Sequence, residues 1–309
     1  MPAIDLADRP IVISGASSGI GRATALACAS AGMPVTLAAR RADRLESLAQ
    51  QIINQGAKAI AVPCDVADQS QAQRVIDATI DAFGSIYAVF ANAGYAYQDS
   101  ALGDESRIRA LIDTNLFGSL NLIRPAIAHM QEQGRGHVLF CSSCLSKIAL
   151  PNYAAYCATK AMQEHFARAL RLELNGTHIH VSSVHPIATT SELRDRIAER
   201  SASRTEASRT RATPKTRAQP PQRVARAVVN ALRHPRAEVW TSVRAHAAFR
   251  LAAAFPGLGE WVIRRRYRPH HTPTPRPHHE FSDTETRPSR PQPTPAESNQ
   301  SPDTEQPRG

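Results

Sequence analysis

Residues 10–22, Pro10-Ile11-Val12-Ile13-Ser14-Gly15-Ala16-Ser17-Ser18-Gly19-Ile20-Gly21-Arg22, decide how the 309-residue chain is to be read. A short apolar run that ends in glycine has the pattern of a buried parallel strand. The residues that follow the last glycine, Arg22-Ala-Thr-Ala-Leu-Ala-Cys-Ala, favour a helix. Glycines between strand and helix permit a tight turn and close backbone approach, and the helix N-terminus attracts a pyrophosphate. A plain tight turn is the alternative reading. A second strand at 34–40 completes a βαβ unit, the context in which such glycines bind a dinucleotide.

The end of that second strand selects the cofactor. An acidic side chain there would accept hydrogen bonds from the ribose hydroxyls of NAD; this chain has Arg40 and Arg41. A guanidinium makes bidentate, charge-assisted bonds to a 2′-phosphate, so NADP(H) is expected in preference to NAD(H). The alternative is that the arginines only solvate the start of the helix predicted over 43–55.

Strand and helix patterns keep alternating. Strands are predicted at 59–66, with Asp65 at the tip where an adenine amino group could bind, and at 88–94, ending in Asn92-Ala93-Gly94. Further strands are predicted at 136–143 and 179–186, and an edge strand at 237–242. Helical spacing covers 68–83, one long stretch from 104 to 131 with Asn115 in its middle, 153–174 and 223–233. The spacing calls for an α/β fold with a doubly wound, mostly parallel seven-stranded sheet of Rossmann type. Ligands then bind outside the carboxyl ends of the strands.

Tyr156 and Lys160 are spaced to share one helix face. A phenol is a poor acid or base near neutrality, and a cation within about 4–6 Å lowers its pKa. Ser143, at a separate strand end, could hold a carbonyl oxygen against Tyr156. That set would suit proton transfer to a carbonyl oxygen during reduction, or from an alcohol during oxidation. A Tyr and a Lys on a solvated helix face would show the same spacing, so the motif depends on its company.

Ser14-Gly15-x-x-x-Gly19-x-Gly21, Asn92-Ala93-Gly94, Asn115, Ser143 and Tyr156-x-x-x-Lys160, in that order, resemble the short-chain dehydrogenase/reductase family in its single-domain branch. The resemblance covers about residues 8–245. It implies Tyr156 as catalytic acid/base, Ser143 as the group that positions the substrate oxygen, and Lys160 on the nicotinamide ribose, lowering the tyrosine pKa. Asn115 would hold a water in a proton relay to Lys160. Gly15, Ser17, Ser18, Gly19, Ile20, Gly21, Arg40, Asp65, Val66, Asn92, Ala93, Gly94, Tyr156, Lys160, Pro186 and Thr189 would line the cofactor. Two positions depart from the family pattern. Ser14 replaces a threonine and keeps the hydroxyl. Ile187 follows Pro186 where the family has glycine, and would be strained if that position needs φ > 0.

Composition places the remaining segments. Hydrophobic residues make up 42% of the chain and the net charge is +10. Basic and acidic residues number 15 each over 1–189, then 18 against 6 over 190–268 and 4 against 6 over 269–309. The basicity therefore belongs to one late segment. The expected organisation is a catalytic domain over 1–242 with a mobile substrate lid at 191–222, a basic amphipathic extension at 243–268, and a disordered tail at 269–309 holding ten prolines. The extension allows three readings: a helical pair packed on the domain or a second subunit, a peripheral contact with an anionic membrane, or nonspecific nucleic-acid binding. No specific nucleic-acid site is expected, and His270, His271, His278 and His279 are read as a solvated tail, with no metal site.

Five dispersed cysteines, including Cys141 and Cys144, are read as reduced thiols. Without a leader or an apolar span, a cytoplasmic setting is expected, with the protein a homo-oligomer acting on a hydrophobic carbonyl or alcohol. A catalytically idle dinucleotide-binding regulator or scaffold is the rival reading.

Overall fold

The computed structural model describes residues 2–190 and 218–266, with Glu192 and Ile197 between them. Most of the expected lid over 191–222 and the whole expected tail over 269–309 lie outside the described residues.

Strands β1 (Ile11–Ser14), β2 (Val35–Ala39) and β5 (Gly136–Cys141) are buried along their full length. A strand without a polar face needs cover on both sides, and a parallel sheet sandwiched by helices provides it. With β3 (Ala59–Pro63), β4 (Ala88–Ala91), β6 (Ile179–His185) and β7 (Glu238–Trp240) they form one sheet in the order β3-β2-β1-β4-β5-β6-β7. Every pairing is parallel. Ile11 lies beside Val35 on one side and Ala88 on the other, so the strand order reverses at β1. Such a reversal opens a ligand crevice at the carboxyl ends of β1 and β4.

The two faces follow from alternation along each strand. Ile11, Ile13 and Leu37 pack under α1 (Gly19–Ser30), α2 (Ala42–Asn54) and α7 (Pro221–Arg233), against Cys28, Leu48 and Val228. Val12, Val89 and Val138 face the other way, towards α3 (Gln69–Phe83), α5 (Gly118–Glu132) and α6 (Ala154–Glu173), against Val75, Ile123 and Ala167. Asp68 caps α3 by accepting from the Ser70 and Gln71 amides, and Gly84 closes it at φ 72°.

One expected element is divided. The single helix predicted over 104–131 is α4 (Glu105–Ile112), a π-helical turn (Asp113–Phe117) and α5. The wider turn carries Asn115, whose side chain bonds the backbone after β4. π-turns of this kind recur at functional sites.

The late segment forms two helices, α8 (Val243–Ala254) and α9 (Pro256–Arg266). Ser242 caps α8 through the Ala245 amide. Trp240 is stacked between His185, 4.6 Å away, and His246, 4.8 Å away, which docks α8 beside the sheet edge. Val243, Leu251, Phe255, Leu258, Trp261 and Val262 remain exposed. No helix among the described residues is long and apolar enough to cross a membrane.

Candidate active site

The glycine turn is fitted to its neighbours. Gly15 holds φ 66°, and a Cβ on Gly21 would come within 2.3 Å of the Gly15 carbonyl oxygen. Helix α1 therefore starts directly against the turn, a closeness only glycine allows. Ser18, at its N-cap, makes no side-chain capping bond, and no acidic residue stands in the first turn. The first amides of α1 are thus available to an anion. Ser14 ties the two central strands together: its Oγ accepts from the Asn92 amide at 3.0 Å and the Ala93 amide at 2.9 Å. Asn92 Nδ2 returns a bond to the Ser14 carbonyl at 2.9 Å. Asp65 stands 3.6 Å from Arg40.

The two arginines diverge. Arg40 turns outward, its side chain 62% exposed, while Arg41 is 26% exposed. Arg41 donates Nε and Nη2 to Ser17 Oγ, at 3.2 and 2.9 Å, so it is the guanidinium beside the glycine turn. Its Nη1 bonds Glu192 at 3.0 Å, and Arg44 bonds the other oxygen of the same carboxylate. Burial raises the Glu192 carboxyl, but its bonds to Arg44 and Arg41 outweigh that and hold it below its ordinary value. Ser17, Arg41 and Arg44 therefore hold an anion against the turn. The sequence offers both arginines for the cofactor and singles out Arg40; the side chain that lies against the glycine turn is Arg41, because successive residues at a strand end face opposite ways.

Ser143, Tyr156 and Lys160 meet over the carboxyl end of β5. Ser143 caps the 3₁₀ turn Cys144–Lys147 by accepting from the Leu145 amide at 3.1 Å. Tyr156 and Lys160 stand on the first turns of α6, with the ammonium 5.7 Å from the centre of the phenol ring. Lys160 is buried and donates to the Cys141 carbonyl at 2.7 Å and to Gln163 Oε1 at 2.9 Å. A Cβ on Gly94 would lie 2.9 Å from Asn115 Oδ1 and 3.6 Å from Lys160 Nζ, so glycine keeps this corner of the crevice open.

The electrostatics differ from the expectation of a lowered phenol. Burial pushes the Tyr156 hydroxyl upward, the neighbouring Cys141 thiol adds to that, and a bond with Ser143 pulls it partly back. The ring is only half-buried, so solvent tempers the push. Burial also lowers the Lys160 amine. In the protein alone, desolvation outweighs the pairing of the two groups, because the lysine head is turned to the Cys141 carbonyl and Gln163.

Asn115 accepts from the Tyr95 amide at 2.9 Å and donates to the Tyr95 carbonyl and Thr159 Oγ1, both at 3.0 Å. Its own backbone carbonyl accepts from Gln163 Nε2 and from Ser119 Oγ. Gln163, which joins Lys160 to the Asn115 carbonyl, was not singled out in the sequence. Gln163 left one signal, a polar residue three positions from Lys160 on the same helix.

Beyond β6, the Pro186 carbonyl accepts from the Cys144 amide at 3.1 Å. Thr189 pairs with Gln219, whose carbonyl also takes the Thr190 amide at 2.9 Å. Ile187 carries no strain: among the described residues the non-glycine positions with positive φ are Asp8 and Asn152.

Behind Ser143, Lys147 bonds both Glu164 and Glu238, so its ammonium already stands between the two carboxylates that approach His185. All five cysteines are free and buried. Burial pushes the Cys144 thiol up to about 11 and raises Cys141, so neither is a thiolate at neutral pH.

The sequence pattern of the short chain dehydrogenases matches residues 9–202. An uncharacterised oxidoreductase of Listeria monocytogenes is 35% identical over 197 residues, 62% of this chain and 79% of that one. Among solved structures, a short chain dehydrogenase/reductase from Burkholderia phymatum in complex with NAD superposes with TM-score 0.72 at 26% identity, over 83% of this chain and 96% of that one. An alcohol dehydrogenase from Thermococcus sibiricus complexed with 5-hydroxy-NADP gives 0.66 at 25% identity, over 75% and 95%.

The strand reversal and the glycine turn are those of a dinucleotide-binding oxidoreductase fold, and the chain belongs to the short-chain dehydrogenase/reductase family. Its members bind nicotinamide dinucleotides and act on small molecules.

Proposed function

We propose that the protein is an NADP(H)-dependent reductase of carbonyl compounds, or dehydrogenase of the matching alcohols, with Tyr156 as general acid/base. The observation that carries this reading is the meeting of Ser143 Oγ and the Tyr156 phenol beside buried Lys160 at the mouth of the β1–β4 crevice. Ser143 donates to the substrate oxygen and fixes it against the phenol, and Tyr156 delivers the proton to that oxygen in reduction or takes it in oxidation. Lys160 supplies positive charge behind the phenol, and Asn115 holds the turn that faces it. The nicotinamide, when bound, supplies or receives the hydride.

The α1 amides and the Gly15–Gly21 turn would hold the pyrophosphate, with Asp65 and Val66 by the adenine and Pro186 and Thr189 towards the nicotinamide. The 2′-phosphate would take the place beside Ser17 where Glu192 sits between Arg41 and Arg44, since phosphate and carboxylate suit the same guanidinium fork. That supports NADP(H) over NAD(H).

The test is oxidation of NADPH and of NADH, separately, with a panel of ketones, aldehydes and quinones. The expected result is turnover of at least one panel member with NADPH at least about tenfold more efficient, the value of one charge-assisted contact. Equal use of the two cofactors would remove the phosphate reading, and no oxidation of either would remove the activity.

We propose further that the protein is cytoplasmic and homo-oligomeric, with α8 and α9 resting on an anionic membrane surface. The support for the membrane contact is a set of exposed apolar residues on and between these helices, Val243, Leu251, Phe255, Leu258 and Trp261, in a segment that also carries Arg244, Arg250, Arg264 and Arg265. Apolar side chains entering the interface beside cations that meet anionic headgroups give reversible attachment.

A further inference from the structure

Gln163 lies on α6, three residues after Lys160, and is fully buried. Its Oε1 accepts from Lys160 Nζ at 2.9 Å. Its Nε2 donates to the Asn115 carbonyl and to Ser119 Oγ, the latter at 2.8 Å. Ser119 Oγ donates in turn to the Asn115 carbonyl at 2.9 Å. Both N–H groups of the carboxamide are therefore in use, and the Asn115 carbonyl meets two donors with its two lone pairs. A residue that only filled space at this depth would be apolar, because a buried amide costs free energy unless each polar atom finds a partner.

We infer that Gln163 is a positioning residue for Lys160: it ties the ammonium to the Asn115 carbonyl of the π-turn and fixes the direction of the charge. An amide suits this task because it accepts from the cation without taking its proton. A carboxylate in its place would neutralise the charge, and a water would exchange protons with it. Cys141 and Gln163 take two of the three lysine N–H groups, which leaves the third for the crevice beside Gly94. Through Gln163 the π-turn sets the geometry of the lysine that backs Tyr156. The inference rests on the oxidoreductase reading above.

The titratable groups facing Lys160 among the described residues are Tyr156 on its own helix and the Cys141 thiol of β5. The π-turn, α5 and the segment after β4 present neutral Asn115, Ser119 and the Gly94 backbone to it. Burial already lowers the lysine amine, and an acceptor on its charged form counters that.

Two variants test this, Gln163→Met, similar in length without the acceptor, and Gln163→Glu, which keeps an acceptor and adds charge. Two quantities are followed from neutral pH to about pH 10, near the ordinary lysine value. One is the NADPH dissociation constant, by protein fluorescence; the other is kcat. In Gln163→Met the alkaline limb of both profiles is expected to move down by about one pH unit, and in Gln163→Glu to move up by a similar amount. Alkaline limbs that coincide in all three proteins, with lowered melting temperatures as the only change, would overturn the assignment. Wild-type protein that binds no NADPH would remove the oxidoreductase reading and this inference with it.

Discussion

On the NADP(H) reading proposed above, cofactor choice turns on Arg41. It donates twice to Ser17 and once to Glu192, whereas Arg40 points to solvent near Asp65. Arg41→Ala is expected to weaken NADPH about 10- to 100-fold, the range for lost charged hydrogen bonds, and to leave NADH nearly unchanged. Arg40→Ala should cost distinctly less, and fluorescence titration of both variants with both cofactors decides the order. Much of this scale was legible in the sequence. Gly15, Gly19, Gly21 and the Tyr156–Lys160 spacing carry their chemistry locally, in what a turn or a helix face permits. Which of Arg40 and Arg41 lies beside the turn was not, because the facing of two adjacent arginines depends on where β2 ends. Gln163 was not either: its partners Asn115 and Ser119 lie on the π-turn and α5, joined to it only by the fold.

At the scale of elements, the 3₁₀ turn that carries Ser143 is clamped from two sides. Lys147 bonds Glu164 of α6 and Glu238 of β7, and Ser146 bonds Glu164 at 2.7 Å. Lys147 and Glu164 are nearly buried, so removing the cation leaves a carboxylate short of its partner. Lys147→Met is expected to lower stability by about 3 kcal/mol in denaturant melts, and to slow turnover by loosening Ser143. Strand β5 contributes a pH dependence. Burial, with His180 beside it, pushes the His137 imidazole down to about 3. Unfolding frees it to bind a proton near its ordinary value of about 6.5. The unfolded state therefore holds more protons between those values, and stability falls as pH drops below about 6.5. Melts at pH 7 and pH 5 should show that loss, and His137→Gln should reduce it; equal stability of the wild type at the two values would contradict the account. The run of strands and helices was legible because each alternates or repeats along its own length. The π-turn was not, since the phase step of a single wider turn is lost among the apolar positions of 104–131.

At the scale of the molecule, the sheet order brings β1, β4 and β5 together, and with them residues that are far apart in sequence: Gly15, Asn92, Asn115, Ser143 and Tyr156. That order follows from buried parallel strands linked by helices, which is why the fold was readable from periodicity and glycine spacing. The outer pair α8–α9 was open to three readings because its arginines and apolar residues alternate without a partner in the sequence to settle them. Its exposed apolar residues and arginines predict co-sedimentation with vesicles containing anionic lipid and not with neutral ones, reduced by Trp261→Glu; equal recovery with both vesicle types would remove the membrane contact. The central claim, proton transfer by Tyr156 beside a bound NADP(H), is tested most directly by one comparison. NADPH-dependent turnover and NADPH affinity are measured for the wild type and Tyr156→Phe. The account predicts a loss of at least about 100-fold in kcat, the lower end for a general acid, with NADPH affinity largely retained. A phenylalanine variant that turns over at the wild-type rate would contradict it.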